Sequence, residues 1–127
     1  MHLRLNALSL DPRGVRKEIA GYLAREASAD SDIAAAELIV GELLSNALRY
    51  APGPLELKVN WRDGFARLVV EDSGPGFEYP SRVKGDPRAE SGRGLRLIES
   101  LAHHVRVLHE PGVGTTVEVV LPVRRRA

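Results

Sequence analysis

The sequence contains no cysteine, a single methionine and a single tryptophan, and its aromatic residues amount to only 5%. Without cysteine there is neither a disulfide nor a thiolate metal site, which is compatible with a reducing compartment. A charge excess is missing too. Eighteen Lys and Arg stand against 17 Asp and Glu, a formal net charge of +1, so no global basic field suggests nucleic acid. No apolar run approaches the roughly 20 residues of a membrane span, and "MHLRLNALSL" lacks the apolar centre of a signal peptide. What remains is 127 residues, 43% hydrophobic and 28% charged, enough for one domain over residues 1–127 with one sizeable core. Its expected location is the cytoplasm.

Periodicity gives the elements. "HLRLNA" alternates, with Leu3 and Leu5 on one face, and predicts a short strand. Asp11 as N-cap and Pro12 at the first helical position open an amphipathic helix carrying Val15, Ile19, Tyr22 and Leu23. "SADSD" breaks it and offers Asp30 or Ser31 as the next cap. A helix over Ile33 to Tyr50 follows, apolar almost all the way round, and "APGP" stops it. "LELKVNW" turns Leu55, Leu57, Val59 and Trp61 inward, "RDG" is a hairpin turn, and "FARLVVED" returns. From "SGPGF" to "ESGRG" the composition is Gly, Pro and charge without an apolar period, which predicts an ordered turn and then a mobile loop. "GLRLIESLAHH" reads as a helix starting on glycine, "VRVLHE" and "TTVEVVLPV" as a second hairpin, and residues 122–127 as a loose basic tail. Strand, helix, helix, two strands, loop, helix, two strands predicts an α+β fold. It is a two-layer α/β sandwich whose mixed, mostly antiparallel sheet is covered on one face by three helices.

Four constellations carry chemistry. Glu42 and Asn46 stand four residues apart, one turn above the other on one helical face. A carboxylate there can polarise a hydroxyl or water, and an amide oxygen can ligate Mg²⁺; equally, the two could line a solvent-facing stripe with Arg49. In "EDSGPGF", Asp72 ends a strand before Gly74 and Gly76: either a tight turn, or an acceptor beside a bare backbone that a flat ligand can approach. In "ESGRGLRLI", Gly92 and Gly94 open a helix whose free N–H groups suit phosphate, or simply start a helix. Neither a P-loop nor a dinucleotide fingerprint is present. "GVGTTVEVVLP" places Thr115 in the last strand, where threonine is at home anyway.

Taken together and in this order, Asn-bearing helix, D-x-G-x-G, G-x-G-L and G-T resemble the GHKL (Bergerat-fold) ATPase superfamily. The resemblance runs from about Glu37 to Pro122. It implies ATP and Mg²⁺ as cofactors, with Asn46 as metal ligand and Glu42 as the base for a water or acceptor hydroxyl. It implies further that Asp72 accepts from the adenine amino group and that Gly74 and Gly76 let the backbone near the base. Gly92, Arg93, Gly94 and Leu95 would then belong to the loop over the phosphates, and Thr115 would support the adenine side.

Within the superfamily, the short chain resembles the anti-sigma-factor serine/threonine kinases of bacteria, whose interval between glycine boxes is also short, here Phe77 to Ser91. That implies a protein kinase acting on, or sequestering, a sigma factor or a small anti-anti-sigma-like partner. Relatives of this type are commonly homodimers. The alternatives are a nucleotide-gated binding module with little turnover, or the ATP-binding component of a two-component-like system. Arg82, Lys84, Arg88 and Arg93 are each either solvated charges or the cation that meets the γ-phosphate. His103 and His104 read as an ordinary pair at a helix-to-strand boundary.

Overall fold

The computed structural model of the chain describes residues 1–6, 11–50, 54–72, 90–110 and 114–127, without the side chains of 49–50, 90–95 and 109. Eight elements follow one another: β1 (His2–Asn6), α1 (Pro12–Glu26), α2 (Ile33–Tyr50), β2 (Pro54–Arg62), β3 (Phe65–Asp72), α3 (Glu90–Leu101), β4 (His104–Glu110) and β5 (Gly114–Arg124). Pro12 begins α1, and Asp11 holds the N-cap position although its side chain makes no capping bond. The cap of α2 is Asp32, one residue beyond the expected candidates: its Oδ1 accepts from the Ala35 N–H at 3.0 Å. Ser31 is engaged elsewhere, donating to the Arg124 carbonyl at 3.1 Å and accepting from its N–H at 2.8 Å.

The five strands form one sheet in the order β1-β2-β3-β5-β4. All four pairings are antiparallel, where a mixed sheet was expected. The parallel component is there in direction only. After α3, β4 runs the same way as β3, but β5 inserts between them and takes the hydrogen bonds of both. The β2–β3 hairpin turns at Asp63 (φ 53°) and Gly64 (φ 83°), a two-residue turn with both central residues in the left-handed region.

Alternation sorts the sheet into two faces. Leu55, Leu57 and Val59 of β2, Leu68 and Val70 of β3, and Val117 to Val123 at alternate positions of β5 point to the helices. There they meet Ile19 and Leu23 of α1, Ile39, Val40 and Leu44 of α2, and Ile98 of α3 in one core. Trp61 stands at its margin and donates from Nε1 to the Tyr22 hydroxyl at 2.9 Å. Arg16 of α1 lies across α2 toward Glu37, 3.5 Å away, over Gly41, where an added Cβ would meet its Cδ at 3.4 Å. Helix α2 is less enclosed than its composition implies. Leu38 on its outer stripe is 53% exposed, as Ala34 and Ser45 are also exposed. Among the described residues no helix is long and apolar enough to cross a membrane.

Two expectations at the C-terminal half change. Helix α3 begins at Glu90, so Gly92 and Gly94 lie within its first turns instead of opening it. The good helix formers around them outweigh a glycine cost of about 1 kcal/mol each. The basic tail is not loose. Arg124 ends β5, the Arg125 N–H donates to the Gly64 carbonyl at 2.9 Å, and the Arg126 N–H donates to the Glu26 carbonyl at 2.8 Å. The Arg125 side chain pairs with Glu26 at 3.1 Å and lies 5.2 Å from the centroid of the Trp61 ring.

Candidate functional site

The loop at Asp30 to Asp32 fixes how α2 lies on the sheet. The Asp32 N–H donates to the Pro122 carbonyl at 2.9 Å, so α2 starts over the C-terminal part of β5. At its other end the chain re-enters the sheet at Pro54, and Leu55 pairs with Asp72. Asn46 lies 14 residues after Asp32, about 21 Å along a helix. The seven residue steps along β5 from Pro122 back to Thr115 cover about 23 Å. The two runs match, so Asn46 belongs to the end of the sheet that holds Asp72 and Thr115.

Those two are direct neighbours. Asp72 closes β3, Thr115 is the second residue of β5, and the register pairs them across the ladder. Both fall on the helix-facing side. Asn46 is 2% exposed, Thr115 3% and Asp72 7%, and among the described residues these are the buried polar or charged side chains. Each has a polar partner within the chain. Burying such groups costs about 1–3 kcal/mol apiece unless they are bonded, so a fold seldom gathers three at one place for packing alone. Glu42, one turn earlier on α2, is half-buried. The burial of Asn46 excludes the solvent-facing stripe as its place in the fold.

Gly74 and Gly76 lie outside the described residues, as do Arg82, Lys84, Arg88 and most of the interval expected to be mobile. The backbones of Gly92, Arg93, Gly94 and Leu95 are helical, while the side chains of Arg93 and Leu95 lie outside the description. His103 is accounted for by structure: its N–H donates to the Val120 carbonyl at 2.9 Å and its ring meets Phe65 edge-on at 4.8 Å. The cross-strand pairing of Asp72 with Thr115 had no signal in the sequence, because the whole connection from β3 to β5, with α3 and β4 in it, lies between them and no spacing rule sets that register. Among the described residues no group of three or more His, Asp or Glu could hold a metal by itself.

Comparison with known proteins agrees with the motifs. The histidine kinase-like ATPase domain family matches residues 6–121. The histidine protein kinase DivJ of Caulobacter vibrioides is 33% identical over 139 residues, covering 95% of this chain and 23% of DivJ. The serine-protein kinase RsbW of Staphylococcus aureus is 29% identical over 115 residues, covering 78% of this chain and 72% of RsbW. A crystal structure of the RsbU and RsbW domains of a Mycobacterium tuberculosis protein superposes on the whole chain with a TM-score of 0.66 at 26% identity, over 32% of the chain in that structure. The chain thus spans about a quarter of one relative and nearly three quarters of another. The five-stranded sheet under three helices, the buried polar end of that sheet and the match over residues 6–121 lead to one conclusion: the chain belongs to the histidine kinase-like ATPase domain family, within the GHKL superfamily.

Proposed function

We propose that this domain binds ATP with Mg²⁺ and acts as a protein kinase of the anti-sigma-factor type, phosphorylating a serine or threonine of a small regulatory partner. The observation that carries the reading is the gathering of Asn46, Asp72 and Thr115, buried, at one end of the sheet beneath α2. The similarity to RsbW, named a serine-protein kinase, supports the substrate class.

The donor set suits the ligand. Asp72 supplies an acceptor for the exocyclic amino group of adenine, with Thr115 beside it. Asn46 supplies an amide oxygen for a hard cation, and Mg²⁺ characteristically takes few protein ligands beside substrate phosphates. When bound, the ion neutralises charge on the transferring group. Glu42, half-buried one turn from Asn46, accepts the proton of the attacking hydroxyl. The new bond forms between that oxygen and the γ-phosphorus as the bond to the bridging oxygen of ADP breaks. The match to DivJ favours a second reading, the ATP-binding part of a two-component kinase, with a histidine on another segment as acceptor.

Calorimetry with Mg·ATP and Mg·GTP tests the nucleotide site. ATP should bind and GTP should not, because guanine places a carbonyl where adenine has its amino group. Asp72→Asn should weaken ATP by about 1–3 kcal/mol. Equal affinity for both nucleotides overturns the assignment. Incubation with γ-labelled ATP and a candidate partner, followed by phosphoamino-acid analysis, separates serine or threonine transfer from the second reading.

A further inference from the structure

The face of the sheet turned away from the helices is charged, but unevenly. Toward β1, its charges satisfy one another: Glu56 takes His2 at 3.4 Å, Arg4 at 3.3 Å and Lys58 at 3.6 Å, and Lys58 reaches Glu71 at 3.2 Å. Toward the β2–β3 turn the balance fails. A groove of about 480 Å³ opens there, with Phe65 and Val120 in its lining. Arg62, Arg67 and Arg106 line it as well, and Arg124 lies 4.9 Å from the centroid of the Phe65 ring. Among the described residues the carboxylates lining the groove are Asp63 and Glu118; Glu118 is already held by Arg67 at 3.1 Å, and the charge of Arg124 also acts on Asp30. Among the described residues neither Arg62 nor Arg106 has an ion-pair partner, and both are exposed.

Register gives the groove its shape. Arg67 pairs with Val120 and Val120 with His104, while Arg62 of β2 pairs with Phe65, so the lining crosses the sheet from β2 to β4. Three strand spacings make the groove about 14 Å wide, the length of roughly four extended residues. An apolar floor beside Arg62 and Arg106, which have no ion-pair partner among the described residues, fits carboxylates that flank an apolar side chain, and guanidinium forks favour carboxylates in particular.

We propose that this groove docks an acidic, extended segment of a partner protein, carrying an apolar side chain between carboxylates, on the face opposite the nucleotide site. Such docking is independent of any kinase activity. A fluorescein-labelled peptide of glutamates interrupted by phenylalanine and valine is the probe, followed by anisotropy at low salt with a lysine counterpart as control. Saturable binding of the acidic probe alone is expected. Arg62→Glu/Arg106→Glu should weaken it about tenfold or more, because both rim charges are reversed. Lys58→Glu, on the same face outside the groove, should leave it within about twofold, and saturating Mg·ATP should not displace it. Because the reversal on β4 sets a second carboxylate opposite Glu118, Arg62→Gln/Arg106→Gln serves as the gentler variant. It should weaken binding about threefold or more, with an unchanged melting profile. Absence of saturable binding, or equal loss with Lys58→Glu, overturns the proposal. So does displacement by single-stranded DNA at lower concentration than by unlabelled peptide, which would make the groove a nucleic-acid site. Self-association in sedimentation that the Gln variant abolishes would give the groove to a second copy of the chain and overturn it as well.

Discussion

The two ends of the sheet are built to opposite rules. At the Phe65 end every neighbouring segment is tied down by its backbone. Arg125 donates to Gly64, Arg126 to Glu26, Ser28 to Arg124 and His103 to Val120, each within 2.7–2.9 Å. At the Asp72 end the helix-facing side of the sheet carries a carboxylate and a hydroxyl where the rest of it carries mostly Val and Leu, and α2 adds the buried amide of Asn46. Such burial contributes less to stability than apolar packing of the same volume. The closed end therefore contributes backbone ties, and the polar end carries the groups proposed to meet a ligand. Glycine-rich sequence adjoins the polar end at Gly74 and Gly76, on the segment that follows β3. Substitutions at the two ends should accordingly separate into losses of function and losses of stability.

The largest effect tests the division from the polar end. Glu42→Ala removes the proposed base but none of the groups proposed to hold the nucleotide. Phosphoryl transfer measured with γ-labelled ATP should fall by about two to four orders of magnitude. ATP affinity by calorimetry should stay within a few-fold, and full activity in the variant would reduce Glu42 to a helix-surface residue. Next comes Asn46→Ala. It should bring affinity for Mg·ATP down to that measured with a chelator present, while unfolding stays cooperative with a loss of about 1–3 kcal/mol for the buried amide. Undiminished Mg·ATP binding would make Asn46 a packing residue and collapse the contrast between the ends.

From the closed end, Gly64→Ala is the sharper probe. A Cβ there would meet nothing within 4 Å, so the whole cost is the backbone at φ 83°. That is about 1–2 kcal/mol, read as a lowered denaturation midpoint. Nucleotide affinity should not move. If it does, the two ends are coupled through the strands, and the separation drawn above is wrong.

How much of this is legible in the sequence follows the range of the interactions. The bounds of α2 at Ile33 and Tyr50 can be read because an apolar period and the Pro52–Pro54 stop are local signals. The Asp-Gly turn is legible for the same reason. The cap of α2 falls later than the sequence suggests because Ser31 is claimed by Arg124, 93 residues away. The tail is held where looseness is expected, because three arginines and an alanine look solvated until β5 is seen to carry them past Gly64 and Glu26. Motif order names the candidate residues Asn46, Asp72 and Thr115. It does not say that β5 slips between β3 and β4 and sets Thr115 against Asp72. Register is decided by the whole hydrophobic pattern of the sheet, which no single segment contains.

The smallest effect concerns the outer face of the polar end, where Glu56 pairs in register with Glu71, next to Asp72. Partial desolvation would raise the Glu56 carboxyl above its ordinary value. His2, Lys58 and Arg4 overcome it, so the group ends up lowered. A carboxylate lowered in the folded state stabilises at pH values above its unfolded pKa and loses that contribution as pH falls through the folded one. The pairs are exposed, so the effect is modest and screened by salt. Glu56→Gln should therefore melt slightly below the wild type at neutral pH and low salt. The gap should close both in high salt and on acidification below the usual carboxylate range. Lys58 gives the complementary reading. Its hydrogen bond to Glu71, and the charge of that same residue, raise its pKa. Its contribution is therefore present below its unfolded pKa and lost as pH rises through the folded value, in the alkaline range. A Glu56→Gln gap that persists unchanged in acid would mean that β1 is held by its ladder with β2 and the packing of Leu3 and Leu5, without help from the Glu56 charge. The outer charges of the polar end would then contribute nothing, which would set it further apart from the end where Arg125 and Glu26 close the fold.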